Sequence, residues 1–278
     1  TRCGPVRRYD PAMISRLPGL SLPERAWGVV RRWALAWWRI LYLGAVVCVL
    51  VLSPSSYGKV TRRALARHLY LDTAPVLLGF TVLAALISLV LTRIVIVTAI
   101  SYGLSRYALE MVIRVLVLEL IPLTAALFVA MRCTIPNGTQ LALLRQSGHL
   151  ARLSHAGADP IRVELLPRAV AGVFACITLA ALSCVVALVL AYLGVYGFSL
   201  AGLPSYTRMF GHVFAPAVTL VFVIKTVLFS LAVALIPMAA GLYDTGERTQ
   251  PDSELGGLAR MFAVLLLIEI GSLVGNYY

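Results

Sequence analysis

Long apolar runs alternate with short basic segments along this chain of 278 residues. A helix needs roughly 20 mostly apolar residues to cross a bilayer. Six stretches meet that requirement, at about 34–52, 75–101, 108–131, 169–194, 213–242 and 258–276. The pattern therefore predicts an all-α integral membrane protein.

The first apolar stretch differs from the other five in its flanks. Trp and Arg residues precede it, and four basic residues follow it over 59–67. Both residue types favour the membrane interface. If the stretch crossed, the seven arginines of residues 1–32 would lie outside, against the positive-inside rule. We therefore expect an interfacial elbow helix over 27–58, after a basic cytoplasmic segment over 1–26.

Five crossing helices then place nearly all remaining Arg and Lys on one side. The N-terminus and the segments 53–73, 132–168 and 243–257 share the cytoplasmic side, and the C-terminus lies outside. The loop 195–212 contains aromatic residues with Gly and Pro, so we expect a short outer turn against the lipid head groups.

The polar segment 132–168, called the insert below, is the largest connection between two predicted spans. Its leucines recur at helical spacing, at positions 141, 144, 150 and 153. Arg145, His149 and Arg152 lie between them, so the pattern predicts an amphipathic helix. Asp159 and Pro160 predict a helix start, because Asp accepts from free amides and Pro fits the first turn.

Composition supports a membrane protein and argues against a nucleic-acid-binding one. Hydrophobic residues make up 60% of the chain and charged residues 13%, against about 25% charged in soluble domains. The net charge of +12 lies in short segments beside apolar runs, as membrane orientation requires. We expect no cleavable signal peptide, because the basic start contains four prolines and no small-residue cleavage site.

Cysteine and histidine positions do not predict a metal site or a disulfide framework. None of the five cysteines has CxxC spacing, and three of them lie in apolar runs. His149 and His155 are six residues apart, which does not place them on one helix face as ligands. We therefore expect no metal on this chain.

Several ionisable residues lie inside the apolar runs, where a charge costs several kcal/mol unless it is paired or hydrated. Glu110 and Arg114 have the i,i+4 spacing of a local ion pair. Glu119, Lys225 and Glu269 lie deeper, on three different helices. A shared cluster of these three would offset the cost, either as a polar point in a transport cavity or as structural contacts between helices.

Two further sequence features bear on mechanism. Pro122 lies within a span, where it frees a carbonyl group and allows a kink. The chain has no GxxxxGK[ST] phosphate loop. An energised transporter built on this chain would therefore need its ATPase on a separate chain.

Five short motifs carry a resemblance to a known family. They are LELIPLTAALFVAMR at 118–132, GADPIR at 157–162, LLPR at 165–168, IKTVLFSL at 224–231 and GLYDTG at 241–246. Together with the insert, they resemble the MlaE-type permease of bacterial MCE lipid transporters, from about Val60 to the C-terminus. The positions that match the family motifs are Glu119, Pro122, Arg132, Asp159, Pro160, Pro167 and Arg168. The positions that depart are Ile121, Met131 and Cys133, where the family has glycine, and Gln140 and Gly148, where it usually has glutamate.

This resemblance implies a permease domain over 59–278, with an elbow helix and five transmembrane helices in each subunit of a homodimer. Its implied partners are a cytoplasmic ABC ATPase subunit, which would bind ATP and Mg²⁺, a periplasmic ring of MCE-domain protein, a second permease copy and a lipid. No cofactor is expected on this chain. The implied location is the bacterial inner membrane, and the expected substrate is a phospholipid.

The resemblance also implies roles for single residues. The insert would be the coupling helix on the ATPase, and the residues expected to carry that contact are Arg145, His149, Arg152, Asp159, Pro160 and Arg168. The residues expected at the lipid cavity or in its supporting helices are Glu119, Pro122, Lys225 and Glu269. No catalytic residue is expected.

Two other interpretations stay open. The replaced family residues Gln140 and Gly148 are compatible with a non-catalytic second permease or scaffold of a heteromeric complex. A membrane-embedded lipid-modifying enzyme would need a catalytic dyad near the interface, and the sequence has none with convincing spacing.

Overall fold

The computed structural model describes residues 22–53, 58–103, 105–157, 159–243 and 252–277. Within these ranges the chain is almost entirely helical and has no strand. Ten α-helices follow one another: α1 Leu22–Leu52, α2 Lys59–Ser101, α3 Ser105–Val112, α4 Ile121–Val129, α5 Ile135–Gln146, α6 His149–His155, α7 Leu166–Tyr196, α8 Leu203–Val213, α9 Pro216–Tyr243 and α10 Asp252–Tyr277. The prediction of an all-α membrane protein is confirmed.

All six predicted apolar stretches are helices long and apolar enough to cross a membrane. The chain divides at Arg39 into a first unit and a helical body that begins at Ile40. Length and composition allow residues Ala34–Leu52 to cross like the other five, so the elbow arrangement of 27–58 stays a prediction. Most of the predicted basic segment 1–26 lies outside the described residues.

Helix α2 is longer than a bilayer is thick. Its 43 residues span about 64 Å, whereas the hydrocarbon core is about 30 Å thick. The predicted span begins near Pro75, so the first four turns of α2 extend beyond it. This extension brings Asp72 beside the insert.

In the described part of the chain, three π-helical segments interrupt the α-helices, over Ile113–Leu120, Ala130–Thr134 and Ile161–Leu165. Each of them ends two residues before a proline, at Pro122, Pro136 or Pro167. A proline cannot donate to the carbonyl four residues earlier, and its ring crowds that carbonyl. A wider turn before the proline accommodates both effects, and such turns are frequent at functional sites.

The third predicted span and the insert form one continuous helical run. The run passes from α3 through α4 into α5 and ends at Gln146, so the chain does not break at Arg132. The insert then turns at Gly148 and continues as α6. Leu141 is buried, while Leu144, Leu150 and Leu153 are half-buried, as the predicted amphipathic spacing requires.

Small residues bring the helices of the body close together. Ala125, Ala126, Ala175 and Ala180 are buried in one cluster between α4 and α7. A Cβ at Gly194 of α7 would lie 2.9 Å from the Cγ2 of Thr92 on α2. Close backbone approach of this kind is how helices associate in a bilayer, where hydrophobic burial provides no driving force.

The expectation of a short outer turn over 195–212 is wrong in one respect. The loop contains the 11-residue helix α8, which has Pro204 in its first turn. Proline is favoured there because its missing N–H has no partner in any case. The phenol of Tyr206 donates to the carbonyl oxygen of Leu188 at 2.9 Å, and burial raises the pKa of Tyr206 to about 12.

Candidate functional site

Lys225 lies at the centre of a buried group of charges in the body. Its side chain is 1% exposed and forms ion pairs with Glu119 and with Glu269, the latter at 2.9 Å between Nζ and Oε2. The structure thus brings together the three charges that the sequence placed on separate helices. Together with Asn276, we call them the buried charge cluster.

A backbone carbonyl completes one side of this cluster. Pro122 has no N–H to donate to the carbonyl oxygen of Leu118, four residues earlier. The ammonium of Lys225 donates to that oxygen at 3.3 Å. Pro122 itself is buried, and the carbonyl that it leaves without a partner four residues earlier is one that Lys225 binds.

Sequence reasoning missed Asn276. Its amide Nδ2 donates to Glu119 Oε1 at 3.3 Å. Asn276 lies seven residues after Glu269, on the same face of α10, and the buried Ser272 lies between them on that face. The spacing of three polar residues in an apolar helix was therefore a usable signal.

The ion pairs of the cluster connect three membrane spans. Its two carboxylates and one ammonium carry one net negative charge when all are ionised, and Glu119 and Glu269 are 13% and 15% exposed. The ring of Phe229 adds a weak attraction, with its centroid 5.7 Å from Nζ. Separating these helices would expose an unpaired charge, so the cluster couples α9 and α10 to the π-helical segment that contains Glu119.

The insert contributes a second set of polar contacts. Arg145 Nη1 donates to the carbonyl oxygen of Leu242 at 2.7 Å, which ties α5 to the end of α9. Arg152 is exposed and donates to the carbonyl oxygen of Ser147. His149 Nε2 lies 3.8 Å from a carboxylate oxygen of Glu164. Of the three arginines expected to contact a partner, Arg145, Arg152 and Arg168, Arg152 is the most accessible.

The end of the insert is built as its sequence predicts, with one difference. Asp159 Oδ1 accepts from the N–H of Ile161 at 3.0 Å, and Pro160 occupies the first helical position. Arg168, however, is 8% exposed and pairs with Glu164 at 3.0 Å. Its guanidinium faces the body, so Arg168 stabilises the end of the insert through a buried ion pair.

Asp72 and Asn137 form a contact that the sequence analysis did not predict. Asn137 Nδ2 donates to Asp72 Oδ2 at 3.0 Å. Cys133 Sγ lies 3.2 Å from the carbonyl oxygen of Asp72. These bonds tie the extension of α2 to the start of the insert.

Two glycines bring the insert directly against α9. A Cβ at Gly138 would lie 2.6 Å from the carbonyl oxygen of Pro237, and a Cβ at Gly241 would overlap the carbonyl oxygen of Gly138. The backbones of α5 and α9 therefore touch without intervening side chains. Helix α9 also carries Lys225, so one helix, with Pro237 inside it, joins the insert to the buried charge cluster.

Two of the five departures from the resembling family, Gln140 and Gly148, lie in the insert away from its buried positions. Gln140 is exposed. Gly148 has φ +71°, in the turn between α5 and α6. Only glycine adopts that conformation without strain, so a glutamate at this position would disfavour the turn.

Metal binding has no candidate among the residues that the structure describes. No three His, Cys, Asp or Glu side chains there are grouped to hold an ion.

Glu110 and Arg114 form the expected local pair, with Arg114 Nε 3.1 Å from Glu110 Oε1. That pair needs no functional explanation.

Comparison with known proteins places these features in a family. A family model described as Permease MlaE matches residues 65–273, about three quarters of the chain. No curated protein matches the sequence. The match covers the α2 extension from residue 65, the whole insert and three residues of the buried charge cluster, Glu119, Lys225 and Glu269. The chain belongs to the MlaE permease family, a membrane component of transporters rather than an enzyme.

Proposed function

We propose that this chain is the permease subunit of an ATP-driven lipid transporter in the bacterial inner membrane. In this proposal a separate ABC ATPase binds Mg-ATP, and a second permease copy completes the membrane part. A periplasmic ring of MCE-domain protein exchanges phospholipid with the permease. The family match over residues 65–273 is the observation that carries the proposal.

The connections of the insert support a coupling role. Gly138 and Gly241 join α5 to α9, and Arg145 bonds to Leu242 at the end of α9. In this proposal a force on the insert acts directly on the end of α9. Because α9 carries Lys225, the movement would reach the buried charge cluster and change how Glu119 and Glu269 are held.

A charge reversal on the insert tests this role. Arg152→Glu changes an exposed residue whose hydrogen bond stays within the insert, so folding should be unaffected. We expect the variant to lose permease-stimulated ATP hydrolysis in the copurified complex. Arg62→Glu, an exposed site on the extension of α2, serves as the control and should keep full stimulation. Equal stimulation in both variants would remove the insert as the coupling element.

A non-transporting partner of a second permease is the other candidate. Gln140 and Gly148 favour it, because both replace glutamates that the family usually carries. Particle symmetry distinguishes the two proposals. A twofold-symmetric complex containing only this permease supports the homodimer, and two different permeases in one particle support the scaffold.

A further inference from the structure

The buried charge cluster, when fully ionised, has one negative charge more than it has positive charges. Glu119 and Glu269 both pair with Lys225, and neither has a second cationic partner among the described residues. Glu110 and Arg114, earlier in the same helical run, neutralise each other at 3.1 Å. An uncompensated charge inside a membrane protein is costly, and a buried acid commonly avoids that cost by taking up a proton.

The neighbouring helices do not supply the missing positive charge. The basic residues Arg93 on α2 and Arg208 and His212 on α8 are exposed, and none of them pairs with either glutamate. On α7, Cys184 Sγ lies 3.8 Å from the carbonyl oxygen of Val117, but a thiol cannot carry a positive charge. The described part of the chain thus offers the cluster no second cation.

Hydrogen-bond donors are as scarce in the cluster as positive charges. An ammonium group has three N–H donors. Three oxygens already surround Lys225 Nζ, on the carboxylates of Glu119 and Glu269 and on the carbonyl of Leu118. Lys225 therefore has no donor left for another acceptor.

Helix α10 adds buried polar groups without partners beside these carboxylates. Ser272 is 7% exposed. It follows Glu269 by three residues, and Asn276 follows Glu269 by seven, so the three side chains share one face of α10. Among the described residues, the Ser272 hydroxyl and Asn276 Oδ1 are buried without a hydrogen-bond partner. A protonated carboxyl group would supply an O–H donor on this face, which an ionised carboxylate cannot do.

One proton satisfies both the charge and the donor requirement. We propose that Glu119 and Glu269 share one bound proton at neutral pH, so that the buried charge cluster is a proton-binding site within the membrane. The cluster then consists of one ammonium, one carboxylate and one neutral carboxylic acid, and it carries no net charge. Two carboxyl groups at one site that cannot both ionise hold a proton in this way.

The bound proton depends on how three helical segments meet. Lys225 lies on α9, Glu269 on α10 and Glu119 on the π-helical segment before α4. Separation of α10 from the other two leaves Glu119 and Lys225 as a neutral pair and exposes Glu269 to water. The proton then passes from the carboxyl oxygen to a water molecule, which leaves a solvated carboxylate and a hydronium ion. Opening and closing of this contact therefore releases and takes up one proton.

Infrared spectroscopy of the solubilised chain, with isotope-labelled glutamate to exclude the aspartates, detects the proton directly. At neutral pH the wild-type chain should show one carboxylic acid band, which shifts in heavy water and disappears reversibly at alkaline pH. Glu119→Gln and Glu269→Gln should each abolish the band, because the remaining carboxylate then balances Lys225. Glu110→Gln is the control and should keep the band, since Glu110 pairs with Arg114 outside the cluster.

Folding stability provides a second measurement. Between about pH 5, where an unfolded glutamate is ionised, and the pH at which the band is lost, the folded chain holds a proton that the unfolded chain has released. Relative to Glu269→Gln, the unfolding equilibrium constant of the wild type should therefore rise about tenfold per pH unit.

Three results would overturn the proposal. They are the absence of the band from the wild-type chain at neutral pH, its persistence in both glutamine variants, and an equal pH dependence of unfolding in the wild type and in Glu269→Gln. The first result needs only the wild-type chain, so it does not depend on variants that fold. Neither measurement uses an ATPase or a transported lipid, so the outcome is independent of the proposed function.

Discussion

Replacing Lys225 with methionine removes the only ammonium of the buried charge cluster. Lys225 Nζ is the partner of Glu119, of Glu269 at 2.9 Å and of the Leu118 carbonyl at 3.3 Å. The variant leaves two carboxylates facing each other at a largely buried position. Removing one partner of a buried ion pair typically costs about 3–5 kcal/mol, and we expect a loss of that size in the free energy of unfolding.

A triple variant separates the charge from the shape of the side chains. Glu119→Gln, Lys225→Met and Glu269→Gln together remove every charge and keep nearly the same volume. Neutral replacement of a buried ion group is often without cost, so the triple variant should regain most of the stability lost in the single one. Arg208→Met, at an exposed position on α8, should change stability by less than about 0.5 kcal/mol.

The assay is equilibrium unfolding in mixed micelles of dodecyl sulfate and a mild detergent, followed by far-UV circular dichroism. A Lys225→Met variant as stable as the wild type would refute the reasoning. So would a triple variant no more stable than the single one, because the loss would then come from packing and not from unpaired charge.

Two further predictions concern the insert. Asn137→Leu removes the hydrogen-bond donor to Asp72 and leaves that half-buried carboxylate without it. The free energy of unfolding should fall by about 1–3 kcal/mol in a thermal unfolding experiment. An unchanged melting temperature would mean that the contact is dispensable. Gly241→Ala places a methyl group against the carbonyl of Gly138 and should cost about 1–3 kcal/mol while reducing ATPase stimulation. Gly271→Ala, which meets nothing within 4 Å, is its control, and equal effects of the two alanines would disprove the close contact.

The membrane helices were predictable because a run of roughly 20 apolar residues has few stable conformations other than a helix that crosses a bilayer. Helix α8 was not, because Gly and Pro in the loop 195–212 predict breaks in a helix. A proline in the first turn of a helix does not disfavour it, and Pro204 lies in the first turn of α8. Position within the element, and not residue type alone, decides its effect.

The charges of the cluster were predictable for an energetic reason. A charge inside an apolar run needs a partner, and Glu119, Lys225 and Glu269 could supply each other's. Asn276 carries no charge, and an amide at the end of α10 does not need a partner from another helix. Helical spacing places Asn276 on the face of Glu269, but its contact with Glu119 also depends on how three helices meet, which spacing alone does not determine.

The insert shows the same limit at two positions. Helical spacing predicts that Arg168 lies on one face of its helix, but not that α7 turns this face toward the body and Glu164. Asp72 and Asn137 are 65 residues apart, and neither lies in a pattern that indicates a partner. Such contacts arise from the length of α2 and from its path beside α5.

Purification of the tagged chain from native membranes in mild detergent, followed by reconstitution with fluorescent phospholipid, tests whether the chain is the permease of an ATP-driven lipid transporter. We expect an ABC ATPase to copurify with the chain, and lipid to leave the reconstituted membrane only with hydrolysable ATP. Recovery of the chain without an ATPase, or lipid movement that is the same with and without ATP, would contradict it.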